Sequence, residues 1–364
     1  MRRSFPRFEG IYDTERMPLT LEIIDEAVTR YRREYDRYLK LSEFVAAKCR
    51  RIVEDNAIRA TVQWRSKDPR GLDLKLRKYL ADDERRHVFD SVDDVFEKIK
   101  DLAGVRITTY VENDRSKAVS QVEAAFAGPG DDHSVVTSEK DSHQSLYRAT
   151  HCQVILQEDE LVGAYENLER TSCEIQVCSL LAHVWNEIEH DLGYKPLTGE
   201  LSAEEEQALE SLGQITQGGD GIINGLLMAN ERRLAQTQGE FLDVHDFVVR
   251  MRDSLSDVPD FSANSGQLYE ELLALGLNTP GRIAEALFGE DPSQTSLELA
   301  ERLKHHLEER QDEVVSVDPG SSDRLLMLLL LDRAQAVIER HPAGRGQGRP
   351  PRIASVARRF LEMG

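Results

Sequence analysis

The segment TSCEIQVCSLLAHVWNEIEHDLGYK, residues 171–195, limits the fold more than any other stretch of the chain. Its first half alternates apolar and polar side chains, the period of a strand with one buried face. Its second half changes to helical spacing, which predicts Leu181, Val184, Trp185, Ile188 and Leu192 as the core stripe of a helix. In the strand, Cys173, Ile175 and Val177 share one face, and Glu174 and Gln176 share the other. A half-buried carboxylate is costly unless a metal, a cation or a proton partners it, so Glu174 is a candidate for chemistry. The helix sets His183, Glu187 and His190 at i, i+4 and i+7, an HxxxExxH pattern. A zinc site more often brings a third strong ligand nearby, and the pattern is read as a polar helix face.

Upstream, Ile24, Val28, Tyr31, Tyr35, Tyr38, Val45, Cys49 and Ile52 keep one apolar stripe and predict a helix over residues 20–54. ATVQW (60–64) reads as a strand that ends in a turn-rich basic segment, RSKDPRG. A helix from Leu72 to about Tyr79 follows. Ser91 suits the N-cap of another helix, closed by Gly104. Strands are expected at 105–111, after the GPGDD turn at 128–132, at RATHCQVILQ and at TSCEIQVC, with a helix at 115–126. Helices and strands in this order make a mixed sheet with helices on it. Beyond residue 195 the strand signal fades. Ser202 and Glu205 form a capping-box pattern, Gly218 and Gly219 are expected to kink or break that helix, and DVPDFSANSG, VDPGSSD and HPAGRGQGRPP read as linkers.

The 364 residues carry a net charge of −20, with the acidic excess denser after residue 200. This balance argues against broad binding to nucleic acid or to anionic membranes. The four cysteines show no CxxC spacing and read as small core residues in a reducing compartment. The basic N-terminus has no apolar stretch behind it, and LLMLLLL at 325–331 is too short to span a bilayer. A cytoplasmic protein with no membrane partner is the expectation.

Three more groups could carry chemistry. Arg65, Lys67 and Lys75 place cations at a strand end and just beyond it, which suits a triphosphate, although a solvated basic loop gives the same pattern. Asp101, in DLAGVR, sits at the mouth of a strand, where a carboxylate makes a good Mg²⁺ ligand, or simply a helix end in water. In SLYRATHCQV, Tyr147, Ala149 and His151 share one strand face; the ring and the imidazole suit a base and a phosphate, or a half-buried sheet tyrosine.

Taken in order, RSK with Lys75, DLAGVR, YRATH, EIQV and WNEIEHDLGYK resemble the synthetase domain of the RelA/SpoT alarmone synthetases, over roughly residues 40–200. The resemblance implies an α+β fold: a nucleotidyltransferase-like mixed β-sheet surrounded by helices, here followed by an all-helical C-terminal region. Residues 1–239 would form the synthetase domain with its flanking helices, and 240–364 the helical region. It also implies transfer of the β,γ-pyrophosphate of ATP to the ribose 3′-hydroxyl of GDP or GTP, making (p)ppGpp and releasing AMP, with Mg²⁺ as cofactor. By position, Arg65, Lys67, Lys75 and Arg106 match cations on the ATP side. Asp101 and Glu174 match the Mg²⁺ carboxylates and, with Gln176, the catalytic group. Tyr147, His151, His190 and Lys195 match the acceptor side, Tyr147 as the ring that stacks on guanine. The sequence departs from the family where Leu146 replaces a glycine before the tyrosine, where Lys140 lies further from it, and where Gly71 replaces a serine. These departures admit a toxic relative acting on an adenine nucleotide or the 3′ end of tRNA. A non-catalytic nucleotide-binding regulator is a further alternative, against which the retained Asp101 and Glu174 argue. Small synthetases of this family often form homo-oligomers through flanking helices, and the same is expected here.

Overall fold

The computed structural model describes residues 18–83, 85–130, 133–139, 146, 148–194, 201–312, 315–341 and 351–364. The chain enters α1 (Leu21–Asp55) through Thr20, whose side chain accepts from the Ile23 amide at 3.2 Å, and the apolar stripe of α1 lies against a sheet. Then follow β1 (Ala60–Ser66), α2 (Pro69–Ala81), α3 (Val92–Lys98), β2 (Ala103–Thr109), α4 (Glu112–Ala125), β3 (Val136–Glu139), β4 (Thr150–Val154), β5 (Cys173–Ser179) and α5 (Leu180–Tyr194). The strands stand in the order β1-β2-β5-β4-β3. β2 and β5 run parallel and the other neighbours antiparallel, so the sheet is mixed as expected.

Register decides which side chains meet. Gly104 lies opposite both Arg65 and Glu174, Gln153 opposite Glu174, and Gln176 opposite both Arg106 and His151. These residues share one face of the sheet. Val105, Ile107, Cys152, Ile175 and Val177 point the other way, into the core with Tyr31, Val45 and Cys49 of α1.

Several sequence expectations are corrected. α2 starts earlier than Leu72, because Asp68 caps it and Pro69 opens it, so the end of the supposed basic turn, from Pro69 to Gly71, is helix. Gly104 does not close a helix: α3 ends at Lys98, and Gly104 is the second residue of β2. In α5 the buried residues are Ala182, Trp185 and Asn186, while Val184, Ile188 and Leu192 are exposed. The helix leaves β5 without a turn, and Trp185 is drawn toward α6 (Ala203–Leu234), donating from Nε1 to Leu209 O at 2.8 Å. Gly218 and Gly219 neither kink nor break α6, which is continuous. A Cβ at Gly219 would lie 2.5 Å from Leu181 Cδ1, so that glycine admits a close side chain.

The helices α7 (Val244–Arg252), α8 (Ser265–Ala274), α9 (Pro280–Leu287), α10 (Pro292–Glu309), α11 (Asp323–Arg340) and α12 (Arg352–Met363) form the all-helical C-terminal region around a second hydrophobic core. The expected linkers DVPDFSANSG and VDPGSSD belong to it: Val258, Phe261, Ser321, Ser322 and Asp323 are buried. The third, HPAGRGQGRPP, lies outside the described residues except for its ends. The two cores meet where Asn264 N donates to Asn56 Oδ1 (3.1 Å) and Gln267 Nε2 to Asp55 Oδ2 (2.9 Å). Gly266 allows this approach, since a Cβ there would lie 2.5 Å from Glu54 O. Among the described residues, no helix is long and apolar enough to cross a membrane.

Candidate active site

Two loops converge at one end of the open sheet face. Lys67, the residue after β1, donates its amide to Leu102 O at 2.9 Å, and the buried Tyr31 hydroxyl bonds both Lys67 O (2.8 Å) and Leu102 O (3.2 Å). This clasp brings Asp101 under two cations, with Lys67 Nζ at 2.6 Å and Lys75 Nζ, from α2, at 2.9 Å. Burial pushes the Asp101 carboxyl up, but Lys75 and Lys67 more than offset it and hold the pKa down at about 2. Arg65 stands beside them on β1 with its side chain exposed.

Glu174 occupies the middle of the face. Its carboxylate accepts from Gln176 Nε2 (2.7 Å) and Gln153 Nε2 (3.3 Å) and lies 3.2 Å from His151 Nδ1. Burial raises its pKa, yet His151 and Gln176 together draw it below the ordinary carboxylate value, against the repulsion of Asp101. Both acids are therefore ionised at neutral pH and face the same space. Gly104 separates Arg65 from Glu174. A Cβ there would meet Arg65 O at 3.7 Å and Glu174 O at 4.0 Å, ordinary contacts, so the fold tolerates a side chain and the glycine leaves the face open.

Arg106 links this centre to α5. Its Nη2 donates to Gln176 Oε1 (3.3 Å), while its Nη1 lies 2.7 Å from Glu187 Oε1 and 3.3 Å from His183 Nδ1. Burial and then the charge of Arg106 lower the His183 pKa, so the imidazole is neutral beside the guanidinium.

The structure thus brings Lys67, Lys75 and Asp101 together, and joins Glu174, Gln176, His151 and Arg106 in one network. His190 lies two turns beyond His183 on α5, half exposed, with Asp191 at 3.8 Å. Tyr147, Lys140 and Lys195 lie outside the described residues. Leu146 is described, and it packs into α6: a Cβ at Gly213 would lie 2.1 Å from Leu146 Cδ1. Sequence reasoning missed Gln153, although its spacing of two from His151 in a strand marks the shared face. It also missed the clamp on Arg106, although the i, i+4 pair His183 and Glu187 was visible as a polar stripe.

The class is α+β: a mixed five-stranded sheet surrounded by helices, with cations and two carboxylates, Asp101 and Glu174, at its open face. Residues 64–198 match the family model described as the region found in RelA / SpoT proteins, so this stretch is a RelA/SpoT-type domain, and Asp101, Arg106 and Glu174 lie inside it. Comparison with curated proteins gives no match. Among solved structures, the chain is similar to the small alarmone synthetase 1 from Bacillus subtilis, at 18% identity and a TM-score of 0.43, over 56% of this chain and 98% of that one. It is also similar to a GTP pyrophosphokinase family protein from Streptococcus pneumoniae, at 19% identity and a TM-score of 0.44, over 61% and 100% of the two chains. The Bacillus subtilis synthetase bound to its product pppGpp is similar at 19% identity and a TM-score of 0.41, over 57% and 99%.

Proposed function

We propose that the chain is a pyrophosphokinase that moves the β,γ-pyrophosphate of ATP to the ribose 3′-hydroxyl of GDP or GTP, forming (p)ppGpp and AMP. The observation that carries this reading is the presence, inside the RelA/SpoT-type stretch, of a lysine-held Asp101 and an ionised, hydrogen-bonded Glu174 close enough for the Asp101 charge to act on Glu174.

Lys67 and Lys75 would turn from Asp101 to the ATP phosphates, with Arg65 and Arg106 beside them, and hold the chain of phosphates in line for attack. Asp101 and Glu174 fit Mg²⁺, which takes one or two carboxylates and completes its shell with phosphate oxygens and water. Bound there, Mg²⁺ would neutralise charge that develops on the transferring phosphates. Glu174, held by Gln176 and Gln153, would accept the proton of the 3′-hydroxyl, and His151, 3.2 Å away, would steady that carboxylate. Tyr147 is assigned to stack on the acceptor base; Tyr147→Ala should then weaken acceptor binding by about 1–3 kcal/mol. His190 and Lys195 are assigned to the acceptor side as well.

The test is transfer of label from γ-labelled ATP, with Mg²⁺, to GDP, GTP, ATP or deacylated tRNA in turn. Label on a guanine nucleotide, lost in Glu174→Gln, supports the reading. Label on ATP or tRNA alone would replace it with the toxic-relative alternative, and label on none would leave a nucleotide-binding regulator.

A further inference from the structure

A second cavity, of about 380 Å³, lies where the start of α4, the residues before β4 and the middle of α6 meet. None of its lining residues belongs to the site above. Arg148 is partly buried there, its side chain 14% exposed, and donates from Nη1 to Asp220 Oδ2 at 2.8 Å, the same oxygen that accepts from Ser179 Oγ at 3.0 Å. The other edge of this guanidinium, Nε and Nη2, is buried with no partner among the described residues. So is Asp220 Oδ1, although the Asp220 side chain is only 6% exposed. On the opposite wall Glu112 Oε1 pairs with Arg115 Nε at 2.6 Å, while Glu112 Oε2 is buried without a partner.

Arg115 Nε also lacks an aligned hydrogen bond but is held in its ion pair with Glu112 Oε1. Apart from it, two donors and two acceptors are left over around one cavity, and buried polar groups in that state are costly unless something fills the space between them. The two donors are the parallel N–H pair of one guanidinium, the edge that matches both oxygens of a carboxylate. The two acceptors are carboxylate oxygens and call for N–H donors, best supplied by a cation. α4 opens onto the cavity at Val111 without a side-chain cap, which favours a negative group at that end. A bare phosphate would serve Arg148 and leave Asp220 and Glu112 facing a like charge. A ligand with one oxyanion and one ammonium serves all four.

We propose that this cavity binds a free α-amino acid. Its carboxylate would rest on the Nε and Nη2 edge of Arg148, and its ammonium on Asp220 Oδ1 and Glu112 Oε2. Its side chain would lie toward Gln217, Gly221 and Asn224 of α6. Asn186 of α5 grips the backbone of Arg148 on both sides, accepting from its amide at 3.3 Å and donating to its carbonyl at 3.2 Å, so an occupant braces the entry into β4.

The experiment is calorimetry on the full chain without nucleotide, so its outcome is independent of the catalytic reading. Each protein amino acid is titrated in turn at millimolar concentration, with acetate, methylamine and inorganic phosphate as probes carrying one kind of charge. At least one amino acid should bind saturably, about tenfold or more tighter than any single-charge probe. A Cβ at Gly221 meets nothing within 4 Å, so Gly221→Leu fills the cavity without touching the Arg148–Asp220 pair, and it should abolish binding. Arg148→Lys keeps the charge but loses the parallel donors, and should weaken binding about tenfold. Failure of every amino acid to bind overturns the proposal. So does binding that survives Gly221→Leu in a natively folded variant, or phosphate or acetate binding as well as the amino acids do.

Discussion

The two halves of the open sheet face are built on different principles. On the half proposed for the ATP donor, Lys67 and Asp101 are set by their distance from strand ends, and one buried hydroxyl, that of Tyr31, fastens both loops. Geometry there rests on the sheet and α1, with Lys75 of α2 on Asp101 and Glu187 of α5 on Arg106. On the half proposed for the acceptor, the entry into β4 hangs on side chains of other helices: Leu146 sits against Gly213 of α6, and Arg148 is gripped by Asn186 of α5. The half proposed for the donor therefore does not depend on α6, whereas the half proposed for the acceptor is as good as the packing of α5 and α6. Two of the three departures from the family the sequence resembles, at Lys140 and Leu146, fall there, and the third, Gly71, lies on α2.

The sharpest way to break the comparison is at the residue both halves share. Glu174→Gln keeps the shape and most hydrogen bonds but removes the charge, and should lower the transfer rate by about 10²–10⁴-fold if Glu174 is the base. Transfer measured with each acceptor checks this, and an unchanged rate removes Glu174 from the chemistry. Asp101→Asn tests the donor half alone. The folded state holds Asp101 ionised down to about pH 2, below its ordinary range. Its contribution to stability, on the order of 2 kcal/mol, is therefore complete above about pH 4 and fades as pH falls through 2. Wild type should lose that increment on acidification, and Asp101→Asn should lack it, as read from urea unfolding at a series of pH values.

The acceptor half is probed by Gly213→Ala. In an exposed helix this change is favourable by about 0.5–1 kcal/mol. Here the added carbon overlaps Leu146 at 2.1 Å, and the net effect should be a loss of about 1–3 kcal/mol with a raised acceptor KM. Leu146→Gly should remove the clash, so the double variant should recover at least about 0.5 kcal/mol of the Gly213→Ala loss. Additive effects would show that Leu146 does not rest on α6.

This asymmetry explains what the sequence revealed. Strand alternation in CEIQV placed Glu174 and Gln176 on one face, and the sheet confirms that placement, because a period of two leaves no freedom in direction. Helical spacing was a poorer guide. Val184, Ile188 and Leu192 have core spacing but stay exposed, because the direction in which α5 leaves β5 selects Ala182, Trp185 and Asn186 for burial. Glycines misled for a related reason. Gly219 reads locally as a helix breaker, and only the arrival of Leu181 from another helix explains it. Contacts of that kind are tertiary, and no local pattern announces them. The same holds for Arg148 and Asp220, 72 residues apart in sequence.

The smallest expected effect lies where the halves touch, at Glu187. Its pair with Arg106 is half exposed on the Glu187 side, so Glu187→Gln should change stability by less than about 1 kcal/mol. The informative reading is electrostatic. Burial and Arg106 lower the His183 pKa, and Glu187 partly restores it. Loss of the carboxylate should therefore push His183 further down, whereas Arg106→Ala should move it up. Ring-proton titration by NMR reads both shifts. If Glu187→Gln leaves His183 where it was, α5 does not clamp Arg106, and the donor half owes nothing to the helix above it.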